Sequence, residues 1–195
     1  GARERARRAL KAFPEDPHLC FQDGLLSLEL GLDSSGALNY KKRHVVFGSQ
    51  TLPISLAPLW TGQPLEGKHI LVWAEQGIGD ELVFFSALRF LDDENITVSV
   101  VCSSRLKQLL IHNFPSIAEV FDRGKPSQIN DSCAKFDFQT YVAELWPLML
   151  KQAPSKSGSW LSLPPDDVAA FAKHPQFRPD SVNVGLAWFS KDERN

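Results

Sequence analysis

The chain has 195 residues, 43% of them hydrophobic, with 21 basic and 23 acidic side chains and a net charge of −2. That length and composition suffice for one α/β domain of moderate size plus a short appendage. The balanced charge leaves no electrostatic footprint for nucleic acid, and no apolar run approaches the roughly 18–20 residues of a membrane span.

Residues 2–12 are rich in Ala, Arg and Leu and predict a helix. No apolar core of a secretory leader is present in residues 1–11, so none is expected. Arg3, Arg5, Arg7, Arg8 and Lys11 form a charge run, read as a solvated helix face rather than a membrane or nucleic-acid arm, because it is short and lacks aromatics. Phe13-Pro14-Glu15-Asp16-Pro17 breaks that helix. A second helix is predicted from Pro17 or His18 to Leu30, with Phe21, Leu25, Leu28 and Leu32 as its apolar stripe and Gly31 as its stop. A third runs from Ser34 or Ser35 to about Val46, with Ala37, Leu38 and Tyr40 at packing positions. Gly24, Ala37 and the preceding proline resemble a worn tetratricopeptide repeat, with a turn about one residue longer than the repeat pattern. A single repeat cannot bury its own face, so this segment is expected to pack on the following domain or on further repeats.

Ser49 to Trp60 holds two prolines and no periodicity and reads as a linker across the next domain. Trp60 has two readings, a ligand platform or a core anchor. Ile70–Ala74 is an apolar run suited to a strand buried on both faces. Glu75-Gln76-Gly77-Ile78-Gly79-Asp80 follows as a tight polar loop, and from Asp80 the apolar residues Leu82, Phe85, Leu88, Phe90 and Leu91 fall at helical spacing. Strand, glycine turn, helix is the opening unit of a doubly wound sheet, and the turn lies where such sheets collect ligands. Free N–H groups at the helix start suit an anion, and the glycines Gly77 and Gly79 permit positive φ and close approach of a ligand. Asp80 has two readings: a capping carboxylate, or a group presented to a ligand. The loop is neither GxGxxG nor a P-loop.

Asp92-Asp93-Glu94-Asn95 predicts a turn, and Ile96–Cys102 a β-branched strand. Ser103 or Ser104 then caps a helix to about Asn113. Arg105, in its first turn at the ligand edge, either grips a phosphate or sugar acid or pairs with a surface carboxylate. Ala118–Phe121 predicts a third strand, Arg123–Cys133 a mobile polar loop, and Phe136–Thr140 a fourth strand with Asp137 and Gln139 on one face. Those two residues either reach a ligand or are satisfied within the sheet. Tyr141–Leu150 is expected to be a helix broken at Pro147. Residues 152–159 read as surface turns, and Asp166-Asp167 as the cap of a helix to about His174. Residues 175–180 form another linker and Val182–Phe189 a final strand. Cys20, Cys102 and Cys133 lack CxxC spacing and are expected as buried free thiols in a reducing, cytoplasmic compartment, with no metal site. The five scattered histidines form no ligand or catalytic grouping.

The strings Leu59-Trp60-Thr61-Gly62-Gln63-Pro64-Leu65-Glu66-Gly67-Lys68, Ile70–Trp73 and Glu75-Gln76-Gly77-Ile78-Gly79-Asp80-Glu81 together resemble bacterial tetratricopeptide-repeat proteins with a glycosyltransferase-like domain, distant relatives of the heptosyltransferases of glycosyltransferase family 9. Ser104-Arg105-Leu106, Asn113-Phe114-Pro115, Phe136-Asp137 and Val184–Trp188 extend the resemblance across most of residues 37–190. It implies the first half of a GT-B fold: a Rossmann-like α/β domain that meets the acceptor, with a second domain holding a nucleotide-sugar. The expected division is a helical segment at residues 1–48, a linker at 49–68, an acceptor-side domain at 69–180, and the first strand of a truncated donor domain at 181–195. By the resemblance, Asp80 would deprotonate an acceptor hydroxyl in an inverting transfer, with Glu75, Gln76, Gly77, Gly79 and Arg105 contacting the acceptor. Trp188, Ser190 and Lys191 would be a remnant of the donor side. No donor pocket is complete here, so a nucleotide-sugar is expected only for a longer parent protein and no cofactor for this chain. Relatives more commonly carry Arg after the Phe pair, where this chain has Ser86, which puts recognition through that position in doubt. A sugar or protein acceptor is expected in the cleft, and a protein partner on the helices. The second functional class is a non-catalytic scaffold using a degenerate transferase fold. A dehydrogenase-type nucleotide binder is disfavoured by the lack of GxGxxG.

Overall fold

In a computed structural model of the chain, residues 1–30, 34–48, 52, 57–91, 95–125, 127–131, 135–146 and 159–174 are described. The apolar run at the centre of the chain forms β1 (His69–Trp73), with every residue beyond His69 buried. β1 pairs in parallel with β2 (Thr97–Cys102) on one side and with β4 (Phe138–Tyr141) on the other, and β3 (Glu119–Asp122) pairs in parallel with β2. The order β3-β2-β1-β4 makes a mixed α/β unit in which all strands run parallel and the order of strand addition reverses at β1. It is the arrangement of the opening half of a Rossmann-type sheet, and it sets a topological switch point between β1 and β4.

A parallel sheet must be covered on both faces. On one face Ile70, Val72, Val98 and Val100 pack with Phe84, Phe85, Leu88, Leu110 and Trp146 in the larger core cluster. These come from α5 (Ile78–Phe85), the 3-10 turn Ser86–Phe90 that continues it, α6 (Lys107–Asn113), and the segment after β4. α5 tightens into the 3-10 turn where Ser86 Oγ donates back to Val83 O at 2.6 Å, a side-chain bond that competes with the α-helical ladder. On the other face Leu71, Trp73, Val101 and Phe121 form a smaller cluster with Leu52 and Ile129. Ile129 lies on α7 (Ser127–Asp131), a helix inside the stretch expected to be a mobile loop. The uncovered face of β1 and β2 supplies the reason, since a buried isoleucine anchors that turn against it.

The edge of β4 is closed by the linker. Trp60 N–H donates to Gln139 O at 2.8 Å and Gln139 N–H to Pro58 O at 2.9 Å. Proline is tolerated here because only its carbonyl is needed. Gln139 is fully buried and both ends of its amide are used: Nε2 donates to Ala57 O at 2.6 Å and Oε1 accepts from Trp73 Nε1 at 3.1 Å. Trp60 packs against the larger core and donates Nε1 to Gln63 O at 2.8 Å, which is the anchor reading.

The helical segment comprises α1 (Ala2–Ala12), α2 (Pro17–Leu30), α3 (Ser34–Tyr40) and α4 (Arg43–Val46). The third predicted helix is therefore split. Lys41 N–H bonds Leu38 O and Lys42 N–H bonds Asn39 O, an i−3 pattern that ends α3 before α4 restarts with Arg43 turned inward. Ala37 and Tyr40 are buried as expected, while Leu38 is exposed at 61%. The charge run divides as well: Arg7 Nε bonds the buried Asp23 carboxylate at 3.4 Å and Arg3 Nη2 donates to Ser27 Oγ at 3.0 Å, whereas Arg5, Arg8 and Lys11 are exposed. Phe21, Ala37 and Tyr40 join the same core cluster as Phe84 and Trp146, so the helices pack on the sheet unit, and residues Gly1–Trp160 form one compact body.

The predicted helix after β4 begins instead as the 3-10 turn Val142–Leu145, because Tyr141 remains in the strand opposite Trp73. Residues from Leu161 belong to a second body, of which 161–174 are described. There α8 (Pro165–Ala172) is entered from Pro164, with Asp166 and Asp167 in its first turn and no side-chain cap. Gly31, Leu32, Pro147 and the strand predicted at 182–189 lie outside the described residues. Among the described residues no helix is long and apolar enough to cross a membrane.

α2 and α3 approach closely at Gly24, where an added Cβ would lie 2.6 Å from Tyr40 N and 2.8 Å from its Cα. Gly24→Ala gains about 1 kcal/mol of helix propensity but must push backbone apart, at up to about 3 kcal/mol. The expected outcome is a net loss of about 2 kcal/mol in urea unfolding; a stabilised variant would show that the two helices can separate freely.

Candidate functional site at the glycine turn

The turn between β1 and α5 places Glu75, Gln76, Asp80 and Glu81 at the carboxyl end of the sheet. Gly77 is the N-cap of α5 with φ −88° and ψ 169°, an extended conformation open to any residue. The left-handed residue is its neighbour Gln76, at φ 61°. This corrects the expectation that Gly77 and Gly79 supply positive φ. A Cβ at Gly77 would meet Asp80 Oδ2 at 3.3 Å, and one at Gly79 would meet nothing within 4 Å. Gly79 thus leaves the main chain open on the outer side of the turn.

Asp80 is the third residue of α5, not its N-cap. Its Oδ2 accepts the Gly77 N–H at 3.1 Å, the reciprocal half of a capping arrangement. The side chain is partly exposed, and among the described residues it takes no second hydrogen bond. One carboxylate oxygen thus serves the cap, and the other accepts no hydrogen bond among the described residues.

Glu75 points the other way. Arg43 from α4 grips it with two bonds, Nε to Oε2 at 2.8 Å and Nη2 to Oε1 at 2.6 Å. The same Nη2 lies 3.0 Å from Glu144 Oε1, on the 3-10 turn after β4. The Arg43 side chain is 3% exposed, and the Tyr40 ring stacks 4.8 Å from its guanidinium carbon. Glu144 also bonds Lys41 Nζ at 2.8 Å and His44 Nε2 at 3.2 Å. Burial alone would raise the Glu144 carboxyl, but the bonds from His44, Arg43 and Lys41 together hold it down at about 2. For Arg43 burial would lower the guanidinium, and the bonds to Glu75 outweigh it. Helical-segment side chains thus fill the crevice at the β1/β4 switch point, and Glu75 is spent on an internal ion pair.

Gln76 is held from both sides. Its Nε2 donates to Tyr40 Oη at 2.7 Å, and its carbonyl accepts Arg123 Nη1 at 3.1 Å. Burial raises the Tyr40 hydroxyl, so it stays protonated. Arg123 follows β3 directly and also lies 3.1 Å from Glu81 Oε1. Glu81, next to Asp80, is fully buried, and its Oε2 accepts the Ser103 N–H at 2.9 Å. Burial raises its carboxyl above the ordinary value against the Ser103 bond and the charges of Arg123 and Arg105. Arg105 is exposed in the 3-10 turn Ser104–Leu106 that leads out of β2.

The turn thus brings together Glu75, Gln76, Gly77, Gly79 and Asp80, with Arg105 on the neighbouring loop. Trp188, Ser190 and Lys191 lie outside the described residues. Asp137 sits at the opposite, amino end of the sheet, where the His69 N–H and Lys68 hold its carboxyl below the ordinary range. With Gln139 fully bonded, both residues follow the satisfied-sheet reading. Cys20 and Cys102 are free and buried; burial raises both thiols, that of Cys102 to about 12, which removes thiolate reactivity. Among the described residues no group of three or more His, Cys, Asp or Glu is placed to hold a metal ion.

Arg43, Glu144 and Tyr40 were missed by sequence reasoning because their partners lie far along the chain. Glu81 carried a signal: with Phe84, Phe85 and Leu88 it falls at i, i+3, i+4 and i+7, a carboxylate on the apolar stripe.

No family model matches the chain, and no solved structure matches it. It is similar to protein FlbA of Caulobacter vibrioides, 24% identical over 144 residues. That alignment takes in 67% of this chain and spans about a quarter of FlbA, 24% of its length.

Glu144 generates a pH test. Its folded pKa lies below its ordinary 4.5, so its contribution is present above that value and is lost as pH falls toward about 2. A shift of this size corresponds to about 3 kcal/mol. Glu144→Gln is expected to flatten the fall in unfolding free energy between those pH values, measured by denaturant titration. Parallel curves for the two proteins would mean that the Lys41–Arg43–His44 cluster does not act through this carboxylate.

Proposed function

We propose that the chain is the acceptor-side half of an inverting glycosyltransferase-like protein related to family 9, and that a complementary donor half is needed for turnover. In this reading the four-stranded unit is the first Rossmann-like domain of a GT-B fold, and the helical segment is a worn tetratricopeptide repeat. The observation that carries the reading is Asp80: a partly exposed carboxylate on a glycine turn, at the carboxyl end of the central parallel strand. Inverting transfer needs one base beside the acceptor hydroxyl, and a group with one oxygen anchored and the other open is suited to that role. The open main chain at Gly79 admits an acceptor close to it. The string from Trp60 to Asp80 supports the family assignment, and the similarity to FlbA supports a module that works within a longer protein.

A second reading, a non-catalytic scaffold on a degenerate transferase fold, is favoured by the fate of Glu75. Its pairing with Arg43 removes one expected acceptor contact and ties the turn to the helical segment. A module of this kind would use the helices for a protein partner.

The two readings separate in the complete protein. Release of nucleoside diphosphate from UDP-, GDP- and ADP-sugars is expected to fall by about 100-fold or more in Asp80→Asn, the scale of a lost general base, with the circular dichroism spectrum unchanged. Retained release in the variant would remove Asp80 as the base, and no release from any donor by the wild type would favour the scaffold. Calorimetry on the 195-residue chain is expected to detect no nucleotide-sugar binding; tight binding would place the donor site in this half.

A further inference from the structure

Open α/β sheets hold ligands at the switch point, and in this chain that crevice is shut. Arg43, Glu75 and Glu144 fill the gap between the carboxyl ends of β1 and β4, with Lys41 and His44 behind them. The other flank of the glycine turn, above β2 and β3, has a different character. Arg105 leaves the end of β2 and Arg123 the end of β3, so two guanidinium groups rise from successive strands at one sheet edge. Arg105 is exposed, and among the described residues no acceptor takes a hydrogen bond from it. Arg123 is 40% exposed, and among the described residues it engages only Nη1, on Gln76 O, beside Glu81. Most of the fork of five donors remains open.

Beneath them lies Glu81. It is fully buried, and its Oε1, 3.1 Å from Arg123 Nη1, lacks the alignment of a hydrogen bond. A buried carboxylate with one oxygen poorly satisfied is costly to keep, and such costs concentrate at functional sites. The carboxylate orients Arg123 from below while its other oxygen holds the Ser103 N–H, which sets the loop that carries Arg105. Of the neighbouring acids, Asp80 accepts the Gly77 N–H through Oδ2 and keeps its other oxygen open toward the turn, and Asp122 Oδ1 accepts the Gly124 N–H.

We propose that this rim, formed by Arg105 and Arg123 with Glu81 as the positioning residue beneath Arg123, binds a phosphate group carried by the ligand of the glycine turn. Paired guanidinium groups suit a tetrahedral oxyanion because their planar forks donate to two oxygens at once. The site is displaced by one strand from the switch point because Arg43 already closes the crevice. The proposal deepens the acceptor-side reading and rests on it for the nature of the ligand: a phosphorylated acceptor on the flank away from the helices. Phosphate binding itself is measurable without any transfer.

The experiment is calorimetric titration of the 195-residue chain with inorganic pyrophosphate, a sugar monophosphate and a nucleoside monophosphate. Saturable binding of inorganic pyrophosphate and of the sugar monophosphate, and not of the nucleoside monophosphate, is expected, weakened at least tenfold in Arg105→Ala and in Arg123→Ala and unchanged in Arg8→Ala and Lys41→Ala. Tighter binding of the sugar monophosphate identifies an acceptor phosphate, and tighter binding of the nucleotide assigns the rim to a donor and overturns the acceptor assignment. Glu81→Gln distinguishes positioning from charge: weaker binding despite the lost negative charge is expected, and tighter binding would remove the positioning role. Absence of saturable binding, equal weakening in Arg8→Ala, or weakening in Lys41→Ala alone would overturn the site. Failure here with diphosphate release still dependent on Asp80 would sink the rim and leave the transferase reading standing.

Discussion

The arrangement of this chain depends on one buried guanidinium. Arg43 sits in the interior with a bidentate hold on Glu75, a contact to Glu144 and the Tyr40 ring against its face. Burying such charges is expensive, and the balance is kept only when geometry and hydrogen bonds are complete. Removing one partner from a buried pair generally costs about 3–5 kcal/mol, because the other is left uncompensated. The interaction therefore fixes relative position more than it adds stability. It registers α4 against the ends of β1 and β4, two strands whose carboxyl termini meet at the switch point.

That registration shapes the glycine turn. With Glu75 drawn toward Arg43, the chain reverses through Gln76 in the left-handed region, and Tyr40 and Arg123 hold that residue from opposite sides. A non-glycine residue at positive φ is uncommon and persists when its surroundings over-determine it. The outer side of the turn is built differently: Asp80 and Gly79 face outward, and Glu81 faces the core between the loops after β2 and β3. One short turn thus has an inner half held by neighbouring elements and an outer half that is open at Gly79.

Much of the sheet was legible because buried parallel strands leave continuous apolar runs. Ile70–Ala74 and the β-branched stretch ending at Cys102 declared themselves, and their boundaries moved by a residue at most. The helices around them were legible where a stripe or a proline marked them. α7 was not, because one isoleucine in a polar segment has no periodicity; only the uncovered face of β1 and β2 makes it a helix. The split between α3 and α4 was equally hidden, since Lys41 and Lys42 are good helix formers and the break serves a contact made elsewhere.

The amino-acid sequence alone determined that a strand, a glycine turn and a helix would stand at the centre, with Asp80 on the turn, because those features follow from local periodicity and backbone chemistry. It could not determine which polar groups of the turn stay available. Glu75 and Asp80 look alike as carboxylates five residues apart, yet one is withdrawn by Arg43, more than thirty positions earlier, and the other keeps an open oxygen. Likewise Glu81 is buried and Arg105 exposed through the packing of loops from three strands. Those outcomes belong to the tertiary structure, because ion pairing and desolvation depend on distance in space, which sequence separation does not encode.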